Sequence, residues 1–149
     1  MPDSAVNLAY SNQLMEHLHP DDALEQLQNI FRALAPGGTY VCVTPSRTLG
    51  PHDVSRYFDA VATGFHLREY SVAELDDLFR SVGFVNTRVF IGAKGWFVAL
   101  PTLPVRLIEN IAGKLPRRLR RSPPLRVALK FLLGIRLAGA RPLSATNHR

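Results

Sequence analysis

Residues 11–45 read SNQLMEHLHPDDALEQLQNIFRALAPGGTYVCVTP, and this stretch decides the fold. Pro20-Asp21-Asp22 is a helix start, because proline and acids suit a first turn with orphan amides and a positive dipole end. Leu24, Leu27, Ile30, Phe31 and Leu34 follow at spacings of three and four and lay one apolar stripe on that helix. Pro36-Gly37-Gly38 stops the helix and turns the chain. Thr39 to Thr44 is rich in β-branched and aromatic residues and predicts a buried strand ended by Pro45. Just upstream, Ala5 to Ser11 is short, apolar and without helical spacing, which predicts another strand. Asn12 to His19 joins it to the helix as a loop or short helical turn. Strand, helix and strand in this order predict an α/β doubly wound sheet.

Further along, Ser46 to Tyr70 is a long loop, and loops of such length are usually functional. Ser71 and Glu74 form a capping-box pattern ahead of a helix whose stripe is Leu75, Leu78, Phe79 and Val82, with Gly83 at its end. Phe84 to Ile91 and Trp96 to Leu100 predict a hairpin across the turn Gly92–Gly95. After Pro101 the composition changes. Val105 to Leu115 predicts a short amphipathic helix, Pro116 to Pro124 a basic linker and Leu125 to Gly139 a second helix, with the last ten residues a disordered end. The expected division is residues 1–100 as the α/β part and 101–149 as a basic helical tail.

Of 149 residues 46% are hydrophobic, enough for one core, and the formal charge is +6. That charge is uneven: from Pro101 onward 11 bases face a single acid, Glu109, so the basic character belongs to the tail. The single cysteine, Cys42, excludes an internal disulfide, a CxxC pair and a cysteine-based zinc knuckle. No apolar run reaches the roughly 20 residues of a membrane span, and the first residues lack a signal peptide's apolar centre. A cytoplasmic location is expected.

The order of elements carries a resemblance. Residues 11–45, the Glu16-His17-Leu18 step, the Arg32–Gly38 run RALAPGG and the later Glu74–Phe84 helix ELDDLFRSVGF resemble the second half of class I, Rossmann-like S-adenosylmethionine-dependent methyltransferases of the small-molecule type. The resemblance runs from Pro2 to about Leu100. It implies strands four to seven of that sheet, with ligands beyond the strands' carboxyl ends. It implies that Ser11, Asn12 and Gln13 line the methionine and methyl end of the cofactor, and that the acceptor is a small hydroxylated or amine metabolite. The family's cofactor cradle, a Gly-rich turn after the first strand and an acid after the second, has no counterpart here, and Asn7 stands where relatives usually have Asp. The chain is therefore expected to be an N-terminally truncated fragment, inactive by itself, with weak or no S-adenosylmethionine binding and full binding only in the complete protein.

Some relatives hold a divalent metal with Glu-x-x-Glu-His. Here Gln13 replaces the first acid, two adjacent residues cannot enclose an ion, and no metal is expected. Glu16 is expected to face solvent and His17 to pack beneath the sheet end. His17 and His66 are the candidate catalytic residues, with His19 and His52 as further candidate bases. His66 stands out because Tyr57, Phe58, Phe65 and Tyr70 surround it in sequence, either as an acceptor pocket or as a cover over the core. Methyl transfer from a sulfonium needs alignment more than acid–base help. The alternative is a non-catalytic binding module whose tail, with Arg117, Arg118, Arg120 and Arg121, docks on an anionic membrane surface or a partner chain. No aromatic residue interleaves with these arginines, so specific nucleic-acid binding is not expected. Ala5 to Tyr10 lacks its partner strand, and self-association through that edge is expected.

Overall fold

The computed structural model describes residues 3–59, 61–93, 95–120 and 122–143. Its centre is a five-stranded mixed sheet in the order β1-β2-β5-β3-β4. The strands are β1 (Val6–Asn12), β2 (Leu34–Thr44), β3 (Val85–Ala93), β4 (Trp96–Pro101) and β5 (Ile135–Ala140). The helices are α1 (Pro20–Ala33), α2 (Val72–Val82), α3 (Thr102–Lys114), α4 (Arg117–Arg120) and α5 (Pro123–Leu133). β1 and β2 run parallel, as a helical crossover through α1 requires, and every other pairing is antiparallel.

The helix-to-strand return differs from the sequence reading. α1 ends at Ala33 with an extended C-cap at Leu34, and Pro36-Gly37-Gly38 lies within the β2 run. There the ladder slips: Val6 faces Leu34, but Leu8 already faces Thr39. Gly37 takes φ +79°, which an L side chain rarely adopts. The motif thus makes a bulge that re-aims β2 rather than a left-handed helix cap.

α2 follows its sequence closely. Ser71 and Glu74 form the complete capping box, and Gly83 is the C-cap. Tyr40 of β2 stacks on Phe79 of α2 at 5.3 Å, and Phe84 closes on Phe79 at 4.9 Å, so the apolar stripe of α2 is seated on the sheet's centre. Met15, Leu27, Leu34, Leu75, Val89, Leu133 and Leu137 complete a continuous core.

The basic segment is corrected in its second half. The helix expected over 125–139 stops at Leu133, and Ile135–Ala140 is a strand inserted between β2 and β3. Ile135, Leu137 and Ala138 are buried there, with Leu137 facing both Cys42 and Val89. Trp96–Pro101 pairs with β3 as expected, but on the outer side. The end of the expected disordered terminus, residues 144–149, lies outside the described residues.

Glu109, the lone acid of that segment, ties α3 to the rest. It is 5% exposed and accepts from the first-turn amides of α2, Val72 N at 3.0 Å and Ala73 N at 3.3 Å. The remaining α2 amides are met locally: Ser71 Oγ takes Glu74 N and Ser71 O takes Leu75 N. Every donor of that helix end is accounted for. Arg106 adds ion pairs to Asp76 and Asp77.

Candidate functional site

The parallel pair β1–β2 ends in two adjacent segments, Ser11–Gln13 and Thr44–Ser46. Ser11 is buried, and its Oγ lies 2.6 Å from the Tyr40 hydroxyl; burial pushes that phenol's pKa well above its usual range. Asn12 and Gln13 are exposed. Gln13 takes φ +53° while its amide donates to Val43 O at 2.8 Å, so the backbone leaves the strand in a left-handed step. A groove of about 800 Å³ opens beside β1 and α1, with Leu8, Tyr10, Ser11 and Leu14 among its walls. Cys42, in the next strand, is fully buried, and burial pushes its thiol up to about 11, which keeps it unreactive.

The Glu16-His17 step is arranged opposite to expectation. Glu16 is fully buried and His17 is exposed. The 3₁₀ turn Met15–His17 folds Glu16 inward, where its Oε2 accepts from Thr44 Oγ1 at 2.8 Å and its Oε1 has no hydrogen-bond partner. A buried carboxylate oxygen without a donor is costly, and a water, an ion or a catalytic role accounts for such an atom.

The long loop supplies the third group. Ligand atoms of Glu16, His17 and His66 all lie within 4.8 Å of one another, and the two imidazole rings meet edge to face at 5.1 Å. His17 Nδ1 is 3.1 Å from Phe65 O and His66 Nδ1 is 2.8 Å from Glu69 Oε1, which leaves Nε2 of each ring for a ligand. Two imidazoles and a carboxylate are a donor set that suits a divalent transition ion as well as a hydrogen-bonding acceptor. Sequence reasoning stopped at the two adjacent residues because His66 enters only through the fold.

Glu69 is the hub of this loop. Its side chain is 2% exposed and accepts from His52 N at 2.6 Å, with His52 Nδ1 at 3.3 Å and His66 Nδ1 at 2.8 Å. Desolvation works against its ionised form, but the bonds from His52 and His66 outweigh it and hold the carboxyl below its usual range. Asp53 organises the outer part of the loop, accepting from the amides of Ser55, Gly64 and His66. Desolvation again opposes, and those amides, His66 foremost, hold its pKa at about 2. His52 and His66 are therefore joined through one carboxylate, while His19 only caps α1. Tyr57, Phe58 and Phe65 are more than two-thirds exposed and only Tyr70 is buried, so the aromatic loop does not serve as a cover over the core.

An open α/β sheet with a polar cluster beyond the carboxyl ends of its parallel strands defines a Rossmann-like ligand-binding class. A family model described as a methyltransferase domain matches residues 2–89. The chain belongs to this family, the class I S-adenosylmethionine-dependent methyltransferases. It is 35% identical over 85 residues to a probable S-adenosylmethionine-dependent methyltransferase of Mycolicibacterium smegmatis, covering 56% of this chain and 30% of that protein. The chain thus spans less than a third of this relative's length.

Two of the solved structures that share the fold illustrate it. One is the methyltransferase in complex with the Trm112 methyltransferase activator of Haloferax volcanii, with TM-score 0.55, 16% identity, and coverage of 95% of this chain and 57% of that one. The other is phosphoethanolamine N-methyltransferase 2 of Haemonchus contortus, with TM-score 0.52, 15% identity, and coverage of 94% and 34%.

Proposed function

We propose that this chain supplies the acceptor-side half of an S-adenosylmethionine-dependent methyltransferase acting on a small hydroxylated or amine metabolite. The observation that carries the reading is the family match over residues 2–89, which includes the β1–β2 strand ends where Asn12 and Gln13 face outward. In this reading Ser11, Asn12 and Gln13 line the methionine end of the cofactor. Glu16, His17 and His66 sit beside the acceptor and orient it or accept its proton. The sulfonium supplies the leaving group, so the protein's task is to hold acceptor and methyl in line. The sequence has no counterpart of the family's Gly-rich turn after a first strand or of its ribose-binding acid after a second. Several charged or bidentate contacts, each worth on the order of 1.5–3 kcal/mol, are then missing from the isolated chain.

The test is calorimetry with S-adenosylmethionine on two proteins: the 149-residue chain, and the chain fused behind whatever part of the Mycolicibacterium smegmatis relative precedes its matched stretch. The chain alone is expected to bind no tighter than about millimolar, and the fusion at micromolar, with Asn12→Ala in the fusion about tenfold weaker. Micromolar binding by the chain alone, or none by a folded fusion, overturns the reading.

A second reading is favoured by one surface feature. Leu103, Leu107 and Ile111 of α3 form an exposed stripe at four-residue spacing, with Trp96 85% exposed on β4. Such a face, followed in the chain by Lys114 and Arg118, suits an anionic membrane surface. No helix among the described residues is long and apolar enough to cross a membrane. Liposome co-sedimentation that is lost when Arg117, Arg118, Arg120 and Arg121 are changed to Gln supports docking, and equal binding by that variant removes it.

A further inference from the structure

A second pocket, of about 650 Å³, opens between the loop after β2 and the α4–α5 segment. Its walls carry Arg56, Arg120, Arg126, Lys130, His52 and Tyr57, and no acid is among the described residues that line it. None of the four cations has an ion pair among the described residues. Arg126 and Lys130 stand four residues apart on α5, a spacing at which like charges repel. Arg56 donates to the Tyr57 hydroxyl and lies over that ring at 4.6 Å. Arg120 is held by a bond from Nη1 to Thr48 O at 2.8 Å, while its Nε is shielded from solvent and has no partner. A concave wall that gathers four cations, shows no acid among its described residues and leaves a shielded guanidinium donor unused is built for an anion.

We infer that this pocket binds a phosphate or diphosphate group of a small ligand, and that the group belongs to the methyl acceptor. The second clause rests on the function proposed above. Its support is connectivity. His52 lines the pocket and contacts Glu69; Glu69 contacts His66; and His66 meets His17 and Glu16 at the strand ends. A phosphorylated acceptor anchored on Arg120, Arg126 and Lys130 would reach from this pocket along the loop toward the cluster. The arginines that the sequence assigns together to a docking tail thereby divide: Arg120 faces inward on the pocket, and Arg118 is exposed.

Inorganic pyrophosphate titrated into the 149-residue chain and followed by calorimetry and ³¹P NMR tests the pocket without any cofactor. Saturable one-to-one binding is expected, weakening with salt. Arg126→Gln with Lys130→Gln, both on the exposed side of α5, should lower the affinity by about tenfold or more without loss of the thermal transition. Arg118→Gln, outside the pocket, should leave it within about twofold. Glycerol phosphate and vesicles of phosphatidylcholine with phosphatidic acid distinguish a soluble ester from a lipid headgroup, and competition by pyrophosphate with either supports the site. Absence of saturable binding, or equal loss in Arg118→Gln and the double variant, overturns the pocket. Pyrophosphate binding that persists while the fusion protein fails to bind S-adenosylmethionine leaves the pocket standing and removes only its assignment to a methyl acceptor.

Discussion

Replacing Glu109 with Ala should unfasten α3 from α2, and the cost can be worked from contacts. The carboxylate accepts from two first-turn amides, Val72 N at 3.0 Å and Ala73 N at 3.3 Å, and from Thr48 Oγ1 at 3.1 Å. Val72 is fully buried, so its amide has no water to turn to. A hydrogen bond to a charged group contributes about 1.5–3 kcal/mol, and a carboxylate at a helix N-terminus adds about 0.3–1 kcal/mol. The longer Ala73 contact falls at the low end, and Thr48 is part-buried and keeps access to solvent. A loss of about 3 kcal/mol follows, which for a domain of this size lowers Tm by roughly 6–12 °C. Glu109→Gln keeps one acceptor oxygen and should lose about half as much. Thermal and guanidinium unfolding followed by circular dichroism gives both values. A Glu109→Ala protein within about 0.5 kcal/mol of the parent would show that the helix end finds other partners, and the argument would fail.

Other outcomes follow from the loop and the sheet. Asp53, Glu69, Glu74 and Asp76 all have carboxyls held below their usual range. Their stabilisation is complete above the unfolded values of about 4 and is lost as pH falls through the lower folded values, about 2 for Asp53; Tm should be level above about pH 5 and drop steeply below about pH 4, and a Tm unchanged down to about pH 2 would refute this. A Cβ at Gly50 would lie 2.0 Å from Glu69 Oε2, so Gly50→Ala should push Glu69 off His52 and His66 and shift the imidazole NMR signals of both, whereas unmoved signals would mean the loop yields instead. β1 is an edge strand with Leu8 and Tyr10 both more than 60% exposed, and sedimentation should show concentration-dependent association that Leu8→Lys reduces; a clean monomer at every concentration would count against the edge.

Local chemistry was legible where neighbours in sequence are partners in space. The Ser71–Glu74 box, the Gly83 stop and the β1–α1–β2 crossover are of that kind. β5 was not, because Leu132, Leu133, Ile135, Leu137 and Ala138, interrupted by Gly134 and Arg136, form a short apolar stretch that serves a buried helix or a buried strand equally. What separates the two is the gap between β2 and β3, a property of the assembled sheet. Gly134, the C-cap of α5, was the one local sign of a break. The site divides in the same way. Asn12 and Gln13 follow from the strand end. The burial of Glu16 depends on Thr44, 28 residues on, and the approach of His66 depends on Glu69 and Asp53 within a loop that has no periodicity to read.

β5 also sets the order in which the molecule can come together. β1–β2 and β3–β4 are each closed by nearby segments, yet they touch through a strand translated after all of them. On a ribosome the two pieces must wait, each with an unmet row of amides and carbonyls, until residues 135–140 have emerged. Joining Thr39 to Ala140 closes about two-thirds of the chain into one loop, so the final step is non-local and slow beside helix formation. A nascent chain halted after Pro101 would hold two half-sheets with nothing between them, a target for chaperones and proteases rather than a smaller working domain.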